Sequence, residues 1–542
     1  MKTIWYNGMI YTMEIEGETV EAVVSEDDHI IETGSLATLK EKYKIARSID
    51  LKGAMMIPGL VDSHMHLIGY GETFLKLNVS GKASKHEVLN AIYEKVKTSS
   101  PGEWIIGEGW DENLWQDKTP LSRWELDKVA PQNPIVMKRV CRHVIAVNSL
   151  AIEAANVKPQ DPAPVGGVIE REENGELSGI FKDEAQNFIF SKMPSITDEY
   201  VEKALRLGIK NSWKFGLTGA HTEDLSYYET YSHAMTAFLR VLGDGSLPFK
   251  AHLLVHHKIV DEWKKDGYQF MSAIGNIEFG AMKIFVDGSL GGRTALLSKP
   301  YADDPSTQGM AIHSLSELKQ LVAKARKYHM PIATHVIGDL AFENVLEVIE
   351  EFPPREGIFD RLIHAQILRP ELIERAKKLP VEIDIQPGFT GSDFPWVIDR
   401  IGKQNMTYNY AWKTLIDNGL PCSGGSDAPI EPANPLLGIH AAVTREKPYD
   451  NKHQIYMPEQ RLSMFEAISL YTKGSAFACG HAHDRGMIKP GFSADFTIFN
   501  QDLFSVENDD ILTTSVEMTV VDGKIVYEKA KDGSPVYNHV SN

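Results

Sequence analysis

The sequence predicts an α/β fold: a (β/α)8 TIM barrel with a small β-sandwich built from both termini and an inserted α+β subdomain between strands one and two. Three observations predict it. Apolar, β-rich runs alternate with amphipathic stretches of helical period, the pattern of parallel βα units. Eight such runs recur, the number that closes a barrel. Both ends of the chain share a texture of short strands and tight turns that the middle lacks. At 542 residues the chain exceeds what one hydrophobic core serves, so several domains are expected.

Residues 1–54 read as strands at 3–6, 9–13 and 21–25, with Asn7-Gly8 as a hairpin turn between the first two. The same texture returns at 494–499, 516–521 and 524–527, where Asp522-Gly523 marks another hairpin. We therefore assign 1–54 plus 487–542 to the sandwich. The barrel takes 55–68 plus 216–486, with strands at 55–62, 216–221, 249–255, 279–286, 331–335, 361–365, 381–386 and 420–426, and helices such as 314–329 and 370–378 between them. A doubly wound open sheet is the alternative, but the first βα turn has no Gly-x-Gly-x-x-Gly. About 150 residues separate His66 from Gly216, far more than a helix and two loops need. Residues 69–215 are read as an insertion with strand-like segments at 104–107 and 134–147. Insertions at that end of a barrel overhang the active site, so this one is expected to cover the substrate.

Composition narrows the function. Hydrophobic residues at 43% and charged residues at 24% are ordinary for a soluble globular protein. A formal net charge of −18 argues against nucleic acid or an anionic membrane as partner, leaving a small-molecule substrate. No run of about 18 apolar residues predicts a transmembrane helix, and the N-terminus lacks the pattern of a signal peptide. Cys141, Cys422 and Cys479 are widely separated and read as small buried hydrophobes in a reducing cytoplasm.

The chemistry begins at Pro58-Gly-Leu-Val-Asp-Ser-His64-Met-His66, where an apolar run ends in two histidines one residue apart. Side chains alternate along a strand, so both imidazoles point to one side and can converge on one metal ion. A second pair, His481-Ala-His483, has identical spacing. It follows a helical segment and precedes a turn, and residues two apart on a helix do not face each other. That pair is read as surface.

The other candidate strands also end in donor residues. Strand four carries Lys283, strand five ends in Ala-Thr-His335, strand six in Leu-Ile-His364, and strand eight runs into Gly-Gly-Ser-Asp427. Barrel enzymes keep their chemistry at these ends. Singly, each has a bland reading: a core histidine, a helix cap at Asp427, a solvated lysine. Jointly they point to a metal site. A protonated amine cannot bind a cation, but a desolvated Lys283 can lose its proton and add carbon dioxide, giving a carbamate able to bridge two metals. Four histidines, one carbamate and one aspartate would then hold two divalent ions about 3.5–4 Å apart. Zinc suits imidazole and carboxylate donors best, with manganese, iron or cobalt also compatible.

These residues resemble the amidohydrolase superfamily. More narrowly, Met282-Lys-Ile-Phe-Val-Asp-Gly-Ser-Leu-Gly-Gly-Arg-Thr294, Thr334-His-Val-Ile-Gly-Asp339 and Gly425-Ser-Asp-Ala-Pro429 resemble its YtcJ-like branch, which includes enzymes similar to N-substituted formamide deformylase. The likeness spans essentially the whole chain, including Asn148-Ser-Leu-Ala and Ala494-Asp-Phe, with no departure at His64, His66, Lys283, His335, His364 or Asp427. It implies a binuclear, metal-dependent hydrolase whose bridging hydroxide attacks a carbonyl carbon of a non-peptide C–N bond, such as an N-formyl or N-acyl amide. Asp427 would take the proton from the nucleophile and return it to the departing nitrogen. A homodimer is a further expectation from the resemblance.

Three residues are candidate substrate contacts: Arg293 in the glycine-rich loop after strand four, His143, which resembles a position of the branch's insertion that reaches the site, and Trp110. Asp339 is expected to orient His335 or a loop. Two other functions compete: deamination at a single metal, and a catalytically inactive barrel scaffold.

Overall fold

The computed structural model describes residues 1–139, 144–164 and 167–539. The readings of Cys141 and His143 lie outside the described residues. The chain forms two compact units, one of Met1–Tyr70 with Asp198–Asn542 and one of Gly71–Thr197.

The larger unit holds eight parallel strands: β1 (Leu60–Met65), β2 (Leu217–Thr222), β3 (Lys250–His256), β4 (Ile277–Phe285), β5 (Ile332–Val336), β6 (Asp360–His364), β7 (Val381–Ile385) and β8 (Cys422–Gly424). They pair in chain order. Runs such as Leu253-Leu-Val255 and Ile332-Ala-Thr334 are buried throughout, as expected of parallel strands covered on both faces.

Beyond β8 the barrel is drawn together by loop backbone. Asp427 N–H donates to His64 O at 2.7 Å, and His66 N–H donates to Ala428 O at 2.8 Å. Asp62 staples this seam, accepting from His64 N–H at 3.1 Å, Ser426 N–H at 3.0 Å and the Ser426 hydroxyl at 2.6 Å. So close is the approach that a Cβ on Gly425 would lie 2.5 Å from His64 N and 2.8 Å from His64 O.

The sequence expectation for the first strand splits in two. Met55–Pro58 leaves the barrel and joins the terminal domain, pairing parallel with Lys2–Tyr11 and antiparallel with Phe496–Phe499. It thereby links strands from both termini into one continuous nine-stranded ladder. Trp5 packs edge-on against Phe496 at 5.3 Å in its core. Asn7-Gly8 makes no hairpin. Lys2–Tyr11 runs through as one strand, interrupted by an irregularity at which Asn7 takes a φ of +62°. The Asp522-Gly523 hairpin does form, with Val521 opposite Lys524.

The insertion is also shorter than 69–215. A helix, α1 (Asp198–Lys214), belongs to the barrel unit and buries Val201, Ala204, Leu205, Ile209 and Trp213 along one stripe. Farther on, α2 (Leu315–Lys327) starts at a Ser314–Glu317 capping box, and α3 (Pro370–Ala376) starts on its proline. The smaller unit has a six-stranded mixed sheet over a core that includes Val88, Ile105, Trp110, Leu126 and Met137. Among the described residues no helix is long and apolar enough to cross a membrane.

Gly425→Ala is expected to destabilise the protein by about 1–3 kcal/mol, the usual cost of overpacking, read as a lower midpoint in denaturant unfolding. An unchanged midpoint would mean that the seam can open to admit a methyl group.

Candidate metal centre

The rim at the C-terminal ends of the strands carries the donors anticipated from the sequence. His64 lies near the end of β1 and His66 directly follows it, Lys283 lies near the end of β4, His335 and His364 sit at the ends of β5 and β6, and Asp427 follows β8. The structure brings all six together. Lys283 Nζ is 3.2 Å from His64 Nε2; His64 Nε2 and His66 Nε2 lie 3.6 and 3.4 Å from Asp427 Oδ1. The His64 ring is 5.8 Å from that of His364, which is 4.5 Å from that of His335. His64, Lys283, His364 and Asp427 are buried, the other two half-buried. His364 and Asp427 take positive φ values, +81° and +58°, a costly backbone state for non-glycine residues that collects at functional sites.

Three histidines have their Nδ1 engaged by an acceptor. His66 Nδ1 lies 2.6 Å from Glu223 O, His335 Nδ1 3.2 Å from Asp287 Oδ1, and His364 Nδ1 2.8 Å from Gln386 Oε1. The Gln386 amide is itself oriented, because its Nε2 donates to Asp384 O at 3.0 Å. Nδ1–H donation fixes the tautomer and leaves each Nε2 lone pair free. His64, His66 and Asp427 each offer one donor atom, and these atoms all lie within 4.8 Å of one another, a set that could hold a metal ion.

Charge in the cluster is finely opposed. Burial, with the Lys283 charge, drives His64 well below its ordinary value, and burial with the neighbouring His335 does the same to His364. Desolvation brings Lys283 down to about 8 against the pull of the Glu223 and Asp427 carboxylates. Burial disfavours charge on His66 and Asp427 too, but their mutual hydrogen bond and attraction win, lifting His66 to about 9 and holding Asp427 below the usual carboxylate range.

The expected substrate contacts fare differently. Arg293 has its guanidinium on Asp303, with Nε–Oδ1 3.1 Å and Nη2–Oδ2 2.9 Å, and Arg400 shares that carboxylate. It bridges loops, so its fork is already taken. Trp110 is buried in the smaller unit's core with its indole N–H on Met137 O at 2.9 Å, which corrects its reading as a substrate contact. His143 lies outside the described residues. Asp339 braces a loop, accepting from Ser298 N–H at 2.9 Å and pairing with Arg369 at 2.8 Å; the residue that orients His335 is Asp287. Asp287 and Gln386 were not singled out from sequence. Their one signal is position, just beyond β4 and β7 on the rim that carries the donors.

A nearly closed parallel barrel with histidines, a lysine and an aspartate converging on its C-terminal rim is the framework of a metal-dependent hydrolase. The Amidohydrolase family matches residues 47–527, and the chain belongs to it, an enzyme acting on carbon–nitrogen bonds. It is 49% identical to the putative amidohydrolase YtcJ of Bacillus subtilis (strain 168) over 98% of this chain and 100% of that one. It is 24% identical to the N-substituted formamide deformylase of Arthrobacter pascens, covering 96% and 98%. An uncharacterized metal-dependent hydrolase from Pyrococcus horikoshii OT3 superposes with a TM-score of 0.78 at 28% identity, over 94% of this chain and 99% of that chain.

Asp287 also accepts from the backbone N–H groups of Leu296, Ile337 and Gly338 at 2.9, 3.1 and 2.8 Å. Asp287→Ala strands these buried donors and is expected to cost about 3 kcal/mol or more. Thermal unfolding checks this; a melting temperature within a degree of the parent would contradict it.

Proposed function

We propose that this enzyme hydrolyses a non-peptide amide bond of a small molecule, of the N-formyl or N-acyl type, at a centre of two divalent metal ions, most simply zinc. One observation carries the proposal: the Nε2 atoms of His64 and His66 converge on Asp427 Oδ1 at 3.6 and 3.4 Å, three donor atoms within reach of one ion, which would displace the proton that His66 and Asp427 otherwise share. The donor set fits such ions, since the Nδ1 partners of His66, His335 and His364 free each Nε2 for ligation. When bound, the metals supply a water-derived nucleophile at neutral pH and polarise the scissile carbonyl.

His64, His66 and Asp427 would hold one ion, and His335 and His364 the other. Lys283 would lie between them as a carbamate. Its fit rests on position: it is fully buried, and its nearest polar partner is His64 Nε2 at 3.2 Å. Among the described residues no carboxylate lies within ion-pair reach to neutralise an ammonium there. Asp427, tied to His66, would receive a proton from the nucleophile and pass it to the leaving nitrogen, which departs poorly unless protonated. The similarity to a formamide deformylase supports the N-formyl class.

The metal-loaded enzyme is expected to contain two ions per chain and to release acid from one class among N-formyl amines, N-acyl amines, cyclic amides and carbamates. Asp427→Asn should lower kcat by about 10²–10⁴. One tightly held ion beside an unmodified Lys283 in a crystal structure would instead favour a mononuclear deaminase, and undiminished hydrolysis by Asp427→Asn would return the scaffold reading.

A further inference from the structure

Of the second histidine pair, His483 lies on the surface as its sequence context predicts, but His481 is half-buried. The helical segment before it ends at Ala478, and Gly480, with φ +82°, turns the chain so that His481 N–H closes onto Ala476 O at 2.7 Å. In the tight turn that follows, Asp484 and Arg485 N–H groups both donate to His481 O, at 3.2 and 3.0 Å. The two imidazoles, which a helix would have splayed apart, lie nearly parallel at 18° with centroids 6.0 Å apart.

His481 Nε2 lies 2.8 Å from Glu278 Oε2, and Glu278 Oε1 is bound by His252 Nδ1 at 2.9 Å. His481 Nδ1 lies 3.0 and 3.2 Å from the two oxygens of Asp484, so the ring is held between two carboxylates, and an ion on Nδ1 would take the place of a proton there. His483 Nε2 is 3.8 Å from Asp484 Oδ2, on a side chain that is 77% exposed. One donor atom from each of the three residues lies within 4.8 Å of the others. A carboxylate behind one imidazole and a second carboxylate in front of it is the arrangement that orients histidine toward a metal.

We propose that His481, His483 and Asp484 form a second divalent-cation site of the zinc type, completed by water and backed by Glu278. Glu278 lies five residues before Lys283 on β4, about 16 Å along the strand, so this site stands apart from the rim centre. A bound ion would tie the 481–486 turn to the start of β4.

Zinc per chain, measured by plasma mass spectrometry after equilibrium dialysis against zinc, tests this. The parent protein is expected to hold one equivalent more than His483→Ala or Asp484→Asn, whose rim metals and melting temperature in chelator stay unchanged. The extra equivalent should persist when His64 and His66 are both replaced by alanine, which separates the outcome from that of the proposed function. Equal zinc in parent and His483→Ala would overturn the proposal.

Discussion

The seam between β8 and β1 is the constraint on which the rest depends. Closing a barrel requires strand one and strand eight to meet, and here they meet through two loop hydrogen bonds, Asp427 to His64 and His66 to Ala428. The same three residues that carry the closest donor cluster therefore also supply the backbone of the closure. Asp62 reinforces both at once by accepting from His64 and Ser426. Metal affinity and barrel integrity cannot be varied independently here, because any movement that separates His64 from Asp427 also opens the seam.

Below the rim the barrel interior is polar, and it couples to the site from the other side. Arg361, fully buried, donates to Ser63 O at 2.6 Å, contacts Asp384 closely and lies 2.9 Å from Glu382 Oε1. Asp384 in turn accepts from the Ser63 hydroxyl at 2.8 Å, and its backbone carbonyl orients Gln386 toward His364. Buried ion pairs are poor sources of net stability, since desolvation offsets most of the attraction. Their value here is geometric: one charged cluster fixes the residue before His64 and the residue that holds the His364 ring.

The strands and their terminal donors are legible in the sequence because both rest on local pattern. An apolar run of five or six residues ending in histidine needs no knowledge of distant partners. What escaped depends on contacts that the local pattern does not encode. Whether Arg293 holds substrate or bridges the barrel mouth turns on Asp303, whose carboxylate it shares with Arg400 from far along the chain. Gln386 matters only because His364 lies on the neighbouring strand. The Lys2–Tyr11 strand absorbs an Asn-Gly that would turn a free hairpin, because Gly8 must pass close to Ala54, where a Cβ would lie 2.4 Å from its carbonyl oxygen. The helix α1 has a buried stripe of clear helical spacing, but nothing local tells whether that stripe packs on the barrel or on the insertion.

Two His-x-His pairs on one chain show how little spacing alone determines. Along β1 the alternation of an extended backbone sets the imidazoles on one side; after Gly480 a left-handed turn does the same by another route. What distinguishes the pairs is the partner behind each ring. His66 leans on a backbone carbonyl, a neutral acceptor that leaves its charge to be decided by Asp427. His481 leans on a carboxylate that already serves His252. The first arrangement leaves the charge of His66 to Asp427 in front of it, and the second sets a carboxylate on each side of the His481 ring. Function at such a pair is therefore written in the atom each Nδ1 or Nε2 touches on its far side.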